Sequence, residues 1–175
     1  MFAALWVTAQ VALGPLLGQL TPIHGIMQRL VGWLLMVLLA EIVQHLGRVS
    51  LMATIAALAT RIIRQSGALY MWVVGVGYAF GGVTFDLLFF LPPTQQLTGR
   101  RRQGYLLLIS GLSGILAVIP YLLFKLATMT STAFLVWVPL YFPTAVTDVA
   151  LNVLGTAMGL SLLPLVTPWT RRFIV

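Results

Sequence analysis

The sequence predicts an all-α polytopic membrane protein with six transmembrane helices, both termini cytoplasmic, and one transmembrane domain over residues 1–175. Three observations carry this expectation. Hydrophobic residues make up 60% of the chain and charged residues only 7%, against about 25% charged in soluble domains. Mean hydropathy is +1.02, so the chain holds too little polar surface to cover a globule in water. The apolar residues run continuously, rather than in the ~10-residue alternating segments of a membrane barrel. A backbone that must satisfy itself inside lipid then has only the helix left.

The first span runs from about Phe2 to Leu20, weakened by Gly14-Pro15 and Gly18 and ended by Thr21-Pro22. It begins without a basic lead-in and no A-x-A site follows, so it is expected to remain as a span rather than act as a signal peptide. The second lies between Arg29 and Arg48, from about Leu30 to Leu46. The third, Val49 to about Ile63, is short for a span of ~20 residues and needs shelter, tilt or snorkelling arginines. The fourth runs from about Leu69 to Leu91 and stops at Pro92-Pro93. The fifth covers about Gly104 to Ala127. The last is expected from Pro143, a residue suited to a first helical position, to Val166. Met129 to Phe142 is apolar but interrupted by Pro139 and followed by Pro143, and is expected to form a re-entrant or surface-lying connection, with a seventh helix as the alternative.

Ten basic and three acidic residues give a net charge of +7. The basic residues sit mostly between apolar runs, where they set topology, and no nucleic-acid partner is implied. With the N-terminus inside, the cytoplasmic ends hold Arg48, Arg100, Arg101, Arg102, Arg171 and Arg172, while the outer ends hold Arg29, Arg61, Arg64 and Lys125. That is six against four, in favour of both termini inside. The chain has no cysteine, which excludes disulfides and thiolate metal sites. With two histidines and three acids most other metal sites are excluded too. No nucleophile elbow, H-E-x-x-H or phosphate-binding glycine loop occurs, so neither an enzyme nor a cofactor is expected.

The three acids, Glu41, Asp86 and Asp148, all fall inside apolar runs. An ionisable residue there is costly and faces a partner or a cavity. Glu41 and His45 are spaced i, i+4 beside Gln44 near the cytoplasmic end, as a structural pair, proton relay or metal pair. Asp86 precedes the proline stop by two turns, within reach of the arginines that follow. Thr144, Asp148 and Asn152 form a polar stripe on the last span, in the outer half of the membrane, suited to a small polar ligand or to interhelical bonding. Aromatic residues gather at the outer ends: Trp33, Tyr70, Trp72, Tyr78, Tyr121, Trp137 and Tyr141. Interface anchoring accounts for most of them, but Trp72 and Tyr78 also suit stacking on a flat heterocycle, and His24 in the first outer loop suits a hydrogen bond to it. Small residues recur every fourth position in the first span at Ala4, Thr8 and Ala12, and glycines at 75, 77, 81, 82, 111, 114, 155 and 159 offer close helix approach.

Taken together, the length, the six spans, the Ala4-x-x-x-Thr8-x-x-x-Ala12 face, the glycine-rich stretch Gly75 to Asp86 and the basic tail Arg171-Arg172 resemble the substrate-binding (S) component of energy-coupling factor vitamin transporters. The resemblance covers most of the chain and is one of architecture more than motif. It implies a subunit in a prokaryotic plasma membrane that binds a vitamin-like solute from outside. Its partners would be a transmembrane coupling subunit and ATPase subunits. It further implies that Ala4, Thr8 and Ala12 dock on the coupling subunit, with Thr8 standing where the family has alanine. The pocket would lie around residues 19–28, the start of the fourth span, and the Thr144–Asn152 stripe. Two other readings fit the same composition: a structural or assembly subunit of a larger membrane complex, and a proton- or ion-coupled carrier using Glu41, His45 and Asp86. A closed cavity within the monomer separates the first from the second.

Overall fold

The computed structural model describes residues 1–13, 26–64 and 67–170. All regular structure among them is helical. Helix α1 is Phe2–Thr8 and continues as a π-helical turn, Ala9–Leu13. There follow α2, Ile26–Val43; α3, Arg48–Ile63; α4, Leu69–Phe89; a short α5, Pro92–Gln96; α6, Gly99–Leu116; α7, Ile119–Thr128; and α8, Ser131–Thr170. His24, Gly14-Pro15, Gly18, Thr21-Pro22, Arg171 and Arg172, singled out above, lie outside the described residues.

Three helical stretches are long and apolar enough to cross a membrane: Leu69–Phe89, Gly99–Thr128 and Ser131–Val166. Helix α3 shows the same solvent preference in its faces. Its outward stripe is Leu51, Ile55, Leu58 and Ile62, each about half exposed or more. Its inward face is Val49, Met52, Ala53, Ala56, Ala57, Thr60 and Arg61. Large apolar groups point out and small or polar ones point in, the reverse of a helix on a water-soluble core.

The helices close a ring in the order α2, α8, α6, α4, α3, α1 and back to α2. Close approach is set by the predicted glycine faces. A Cβ on Gly155 would stand 2.5 Å from the Leu30 carbonyl oxygen, and one on Gly159 would stand 2.8 Å from that of Leu34. The α2–α8 contact therefore depends on their bare backbones. Inside the ring Trp33 meets Phe85 edge-on with centroids 5.7 Å apart, and Phe85, Phe89, Met36, Leu106 and Ile109 fill the space beyond.

The ring is pinned at its far end by charge. Helix α2 stops at Val43, and Gly47 takes φ +89°, a left-handed conformation open to glycine. Asp86 of α4 then serves the start of α3. Its Oδ2 accepts from Gly47 N–H at 2.8 Å, Ser50 N–H at 3.1 Å and Ser50 Oγ at 2.8 Å. A carboxylate at a helix N-terminus satisfies orphan donors and opposes the helix dipole.

One expectation requires correction. Met129 to Phe142 is not a separate connection or a seventh helix: from Ser131 on it is the beginning of the 40-residue α8, which continues through Pro139 and Pro143. Pro143 is thus an interior position rather than a helix start. Each proline removes one ladder bond, leaving the Leu135 and Pro139 carbonyls without their backbone donors, a loss that membrane helices tolerate. The fifth expected span falls within the apolar stretch Gly99–Thr128, which carries a turn. Pro120 has no N–H for the Leu116 carbonyl, and the chain turns at Ala117–Val118 between α6 and α7.

Candidate functional site

At the end of the ring where α2 and α4 begin lies a cavity of about 240 Å³. Helix α2 contributes Arg29 and Trp33, one turn apart. From α4 come Val74, Gly77, Tyr78 and Gly81, and from α6 Gly114. The α6–α7 break adds Ala117 and Val118, α7 adds Tyr121, and α8 adds Tyr141, Thr144, Asp148 and Asn152. The break is what opens this wall. A Cβ on Gly77 would stand 2.5 Å from the Ala117 carbonyl oxygen, so the turn presses on bare α4 backbone while Tyr121 swings to the cavity.

The stripe on α8 faces inward as its i, i+4 spacing implies. Asp148 and Asn152 are 6% and 4% exposed. Arg29 Nη2 donates to Asp148 Oδ2 at 2.5 Å, with the two side chains 16% and 8% exposed. A buried charge in an apolar bundle needs such a partner. Asn152 packs against Gly114, which has no side chain to obstruct the amide. Its Oδ1 has no hydrogen-bond partner among the described residues. Beneath it a polar relay continues into the ring, with Thr156 Oγ1 donating to Ser110 Oγ at 2.8 Å and Ser110 Oγ donating to the Asn152 carbonyl at 3.2 Å. Ser113 Oγ is also buried without a partner. An unmet buried amide oxygen costs about 1–3 kcal/mol, and this one belongs to a residue that lines the cavity.

Aromatic rings form the rim. Tyr121 lies 5.6 Å from Tyr141 and 5.8 Å from Trp137, and Trp137 stacks on Tyr141 at 4.7 Å. Lys125 Nζ sits 5.6 Å from the centroids of both Tyr121 and Trp137. The site thus combines flat apolar walls with one guanidinium–carboxylate pair and the polar residues Thr144 and Asn152. That set can hold a small solute with a planar part and a polar group.

Of the residues proposed from sequence for binding, Tyr78, Thr144, Asp148 and Asn152 come together here. Trp72 stands elsewhere, 37% exposed on the outer side of α4. His24 lies outside the described residues. Arg29, Trp33, Tyr121 and Tyr141 were not assigned to the site. Arg29 had a signal, because a lone acid inside an apolar helix demands a cation at its own level.

The remaining acids are committed to other contacts. Arg102 Nη1 donates to Glu41 Oε2 at 2.8 Å, its Nε donates to the Thr94 carbonyl at 3.3 Å, and its guanidinium lies 5.8 Å from the Phe89 centroid. Glu41 is on the last turn of α2, whereas His45 lies past the helix end with Nδ1 2.6 Å from the Val43 carbonyl oxygen. The expected shared helix face of Glu41 and His45 is therefore absent. Asp86 bonds the start of α3 instead of the arginines that follow it. Ala4, Thr8 and Ala12 are all exposed on the outside of the ring.

The chain matches no protein-family model, no curated protein and no solved structure.

Proposed function

We propose that this chain is the membrane-embedded solute-binding subunit of an ATP-driven micronutrient uptake transporter, of the energy-coupling factor kind. In this reading it crosses a prokaryotic plasma membrane six times with both termini in the cytoplasm. It takes a small polar or heterocyclic, vitamin-like solute from outside, and moves against a coupling subunit driven by separate ATPases. The observation that carries the reading is the cavity. It lies at the end of the ring that the arginine distribution assigns to the outside, and its lining includes the buried Arg29–Asp148 pair and Asn152. Its volume of about 240 Å³ is somewhat below the ~300–1,000 Å³ of drug-sized sites, which suits a small solute. The exposed small-residue face at Ala4, Thr8 and Ala12 supports a close partner helix.

The test is release of bound solute. Protein is purified gently in detergent from cells supplied with vitamins, then denatured, and the released compounds are identified by mass spectrometry. A non-lipid compound at near-stoichiometric amount is expected. Recovery should fall by about tenfold in Asn152→Ala, the loss expected for one hydrogen bond of about 1.4 kcal/mol. Recovery of lipid alone would remove this reading in favour of a structural subunit.

A further inference from the structure

A groove of about 210 Å³ lies at the other end of the ring from the solute cavity, where α2 ends and α3 begins. Its walls include Phe2 of α1, Leu39 and Val43 of α2, and Leu51 and Ile55 of α3, with Arg48 at the head of the α3 wall. Arg48, Leu51 and Ile55 are spaced i, i+3 and i+7, so they share one helix face. That wall runs from the guanidinium-bearing residue into the apolar part of α3 over about 10 Å at 1.5 Å per residue. Leu51 and Ile55 are 54% and 47% exposed, so the groove opens to the surroundings of the bundle and is not part of its core.

The chain has only three side-chain carboxylates. Asp148 holds Arg29, Glu41 holds Arg102, and Asp86 is taken by Gly47 and Ser50. Arg48 is exposed and forms no ion pair among the described residues. An exposed guanidinium alone only marks the membrane surface. One that heads an apolar groove sets a fixed positive charge beside a track for hydrocarbon.

We propose that this groove binds one acidic phospholipid, with the phosphate on Arg48 and an acyl chain along the Leu51–Ile55 wall. Such a lipid meets both chemistries in one molecule, because a guanidinium forks onto two phosphate oxygens and the chain covers the apolar wall. A bare anion leaves the wall unfilled. A zwitterionic lipid brings its own cation to compete for the phosphate. The groove lies at the end that the arginine distribution assigns to the cytoplasm, and the cytoplasmic leaflet carries the negative surface potential.

The test follows thermal unfolding of the purified full chain in a neutral detergent. Three probes are titrated: short-chain phosphatidylglycerol, phosphatidylcholine with the same chains, and glycerol phosphate, which is a headgroup without chains. Phosphatidylglycerol is expected to stabilise saturably, with an apparent affinity about tenfold above that of phosphatidylcholine, and glycerol phosphate to have no effect. Arg48→Gln should weaken phosphatidylglycerol by about tenfold and bring it to the level of phosphatidylcholine. Leu51→Asn keeps the charge but spoils the apolar wall, and should weaken both lipids. If Arg48→Gln does not fold, Leu51→Asn carries the comparison. Equal affinity for the two lipids, a response to glycerol phosphate that matches phosphatidylglycerol, or an undiminished response in the variants would overturn the proposal. Stabilisation by neither lipid would overturn it as well and leave the groove to a partner helix.

Discussion

Replacing Asp148 alone should be far more damaging than replacing Asp148 and Arg29 together. The two groups meet at 2.5 Å with side chains 8% and 16% exposed. Taking the charge centres as about 4 Å apart in an effective dielectric of about 20, their attraction is about 4 kcal/mol. Removing one partner forfeits that attraction and strands the other charge in an apolar bundle, which costs about 3–5 kcal/mol in buried pairs. Asp148→Leu and Arg29→Leu should each lower stability by that amount. The double variant removes both desolvation penalties along with the attraction and should lose less than either single variant. The assay is unfolding in mixed micelles of rising sodium dodecyl sulfate fraction, followed by circular dichroism. The quantity of interest is the coupling energy of the double-mutant cycle, expected to be about 3 kcal/mol or more in magnitude. If the effects add to within ~0.5 kcal/mol, as for independent sites, the pair is not a coupled element and the electrostatic account of the cavity wall is wrong.

Two further outcomes probe the frame around the site. Asp86→Asn keeps the shape but removes the charge at the start of α3; it should cost about 1–2 kcal/mol and raise amide hydrogen exchange at Gly47 and Ser50, and unchanged exchange there would refute the capping role. Gly155→Val places branched carbon where the Leu30 carbonyl oxygen stands 2.5 Å from a bare Cβ position; α2 and α8 must separate, and unfolding in mixed micelles should show a loss of about 1–3 kcal/mol.

Much of the helical plan was legible because the signals were local. Arg48 and the Pro92-Pro93 pair mark ends of apolar runs, and α3 and α4 fall within two residues of the expected bounds. The last helix was misread for the same reason. Pro139 and Pro143 are local break signals, but each removes only one backbone bond from a 40-residue helix. The pairing of Glu41 with His45 failed because helical spacing matters only while the helix continues, and α2 ends at Val43. Within the site, Thr144, Asp148 and Asn152 were visible as an i, i+4 stripe on one helix. The Arg29 partner was not, because it is 119 residues away and no pattern along the chain encodes which helix will lie opposite.

The length of α8 has a mechanical consequence. Forty residues rise about 60 Å, twice the ~30 Å hydrocarbon thickness of a bilayer. One arm of this rod forms the cavity wall and the other continues beyond it with α7. Pro139 and Pro143 deprive the Leu135 and Pro139 carbonyls of their ladder donors, and Tyr141 sits between the two missing rungs. Proline positions are where helices kink, so the part of α8 with fewest backbone bonds is the part that carries the aromatic rim, and the Asp148–Arg29 pair lies on the fully bonded part.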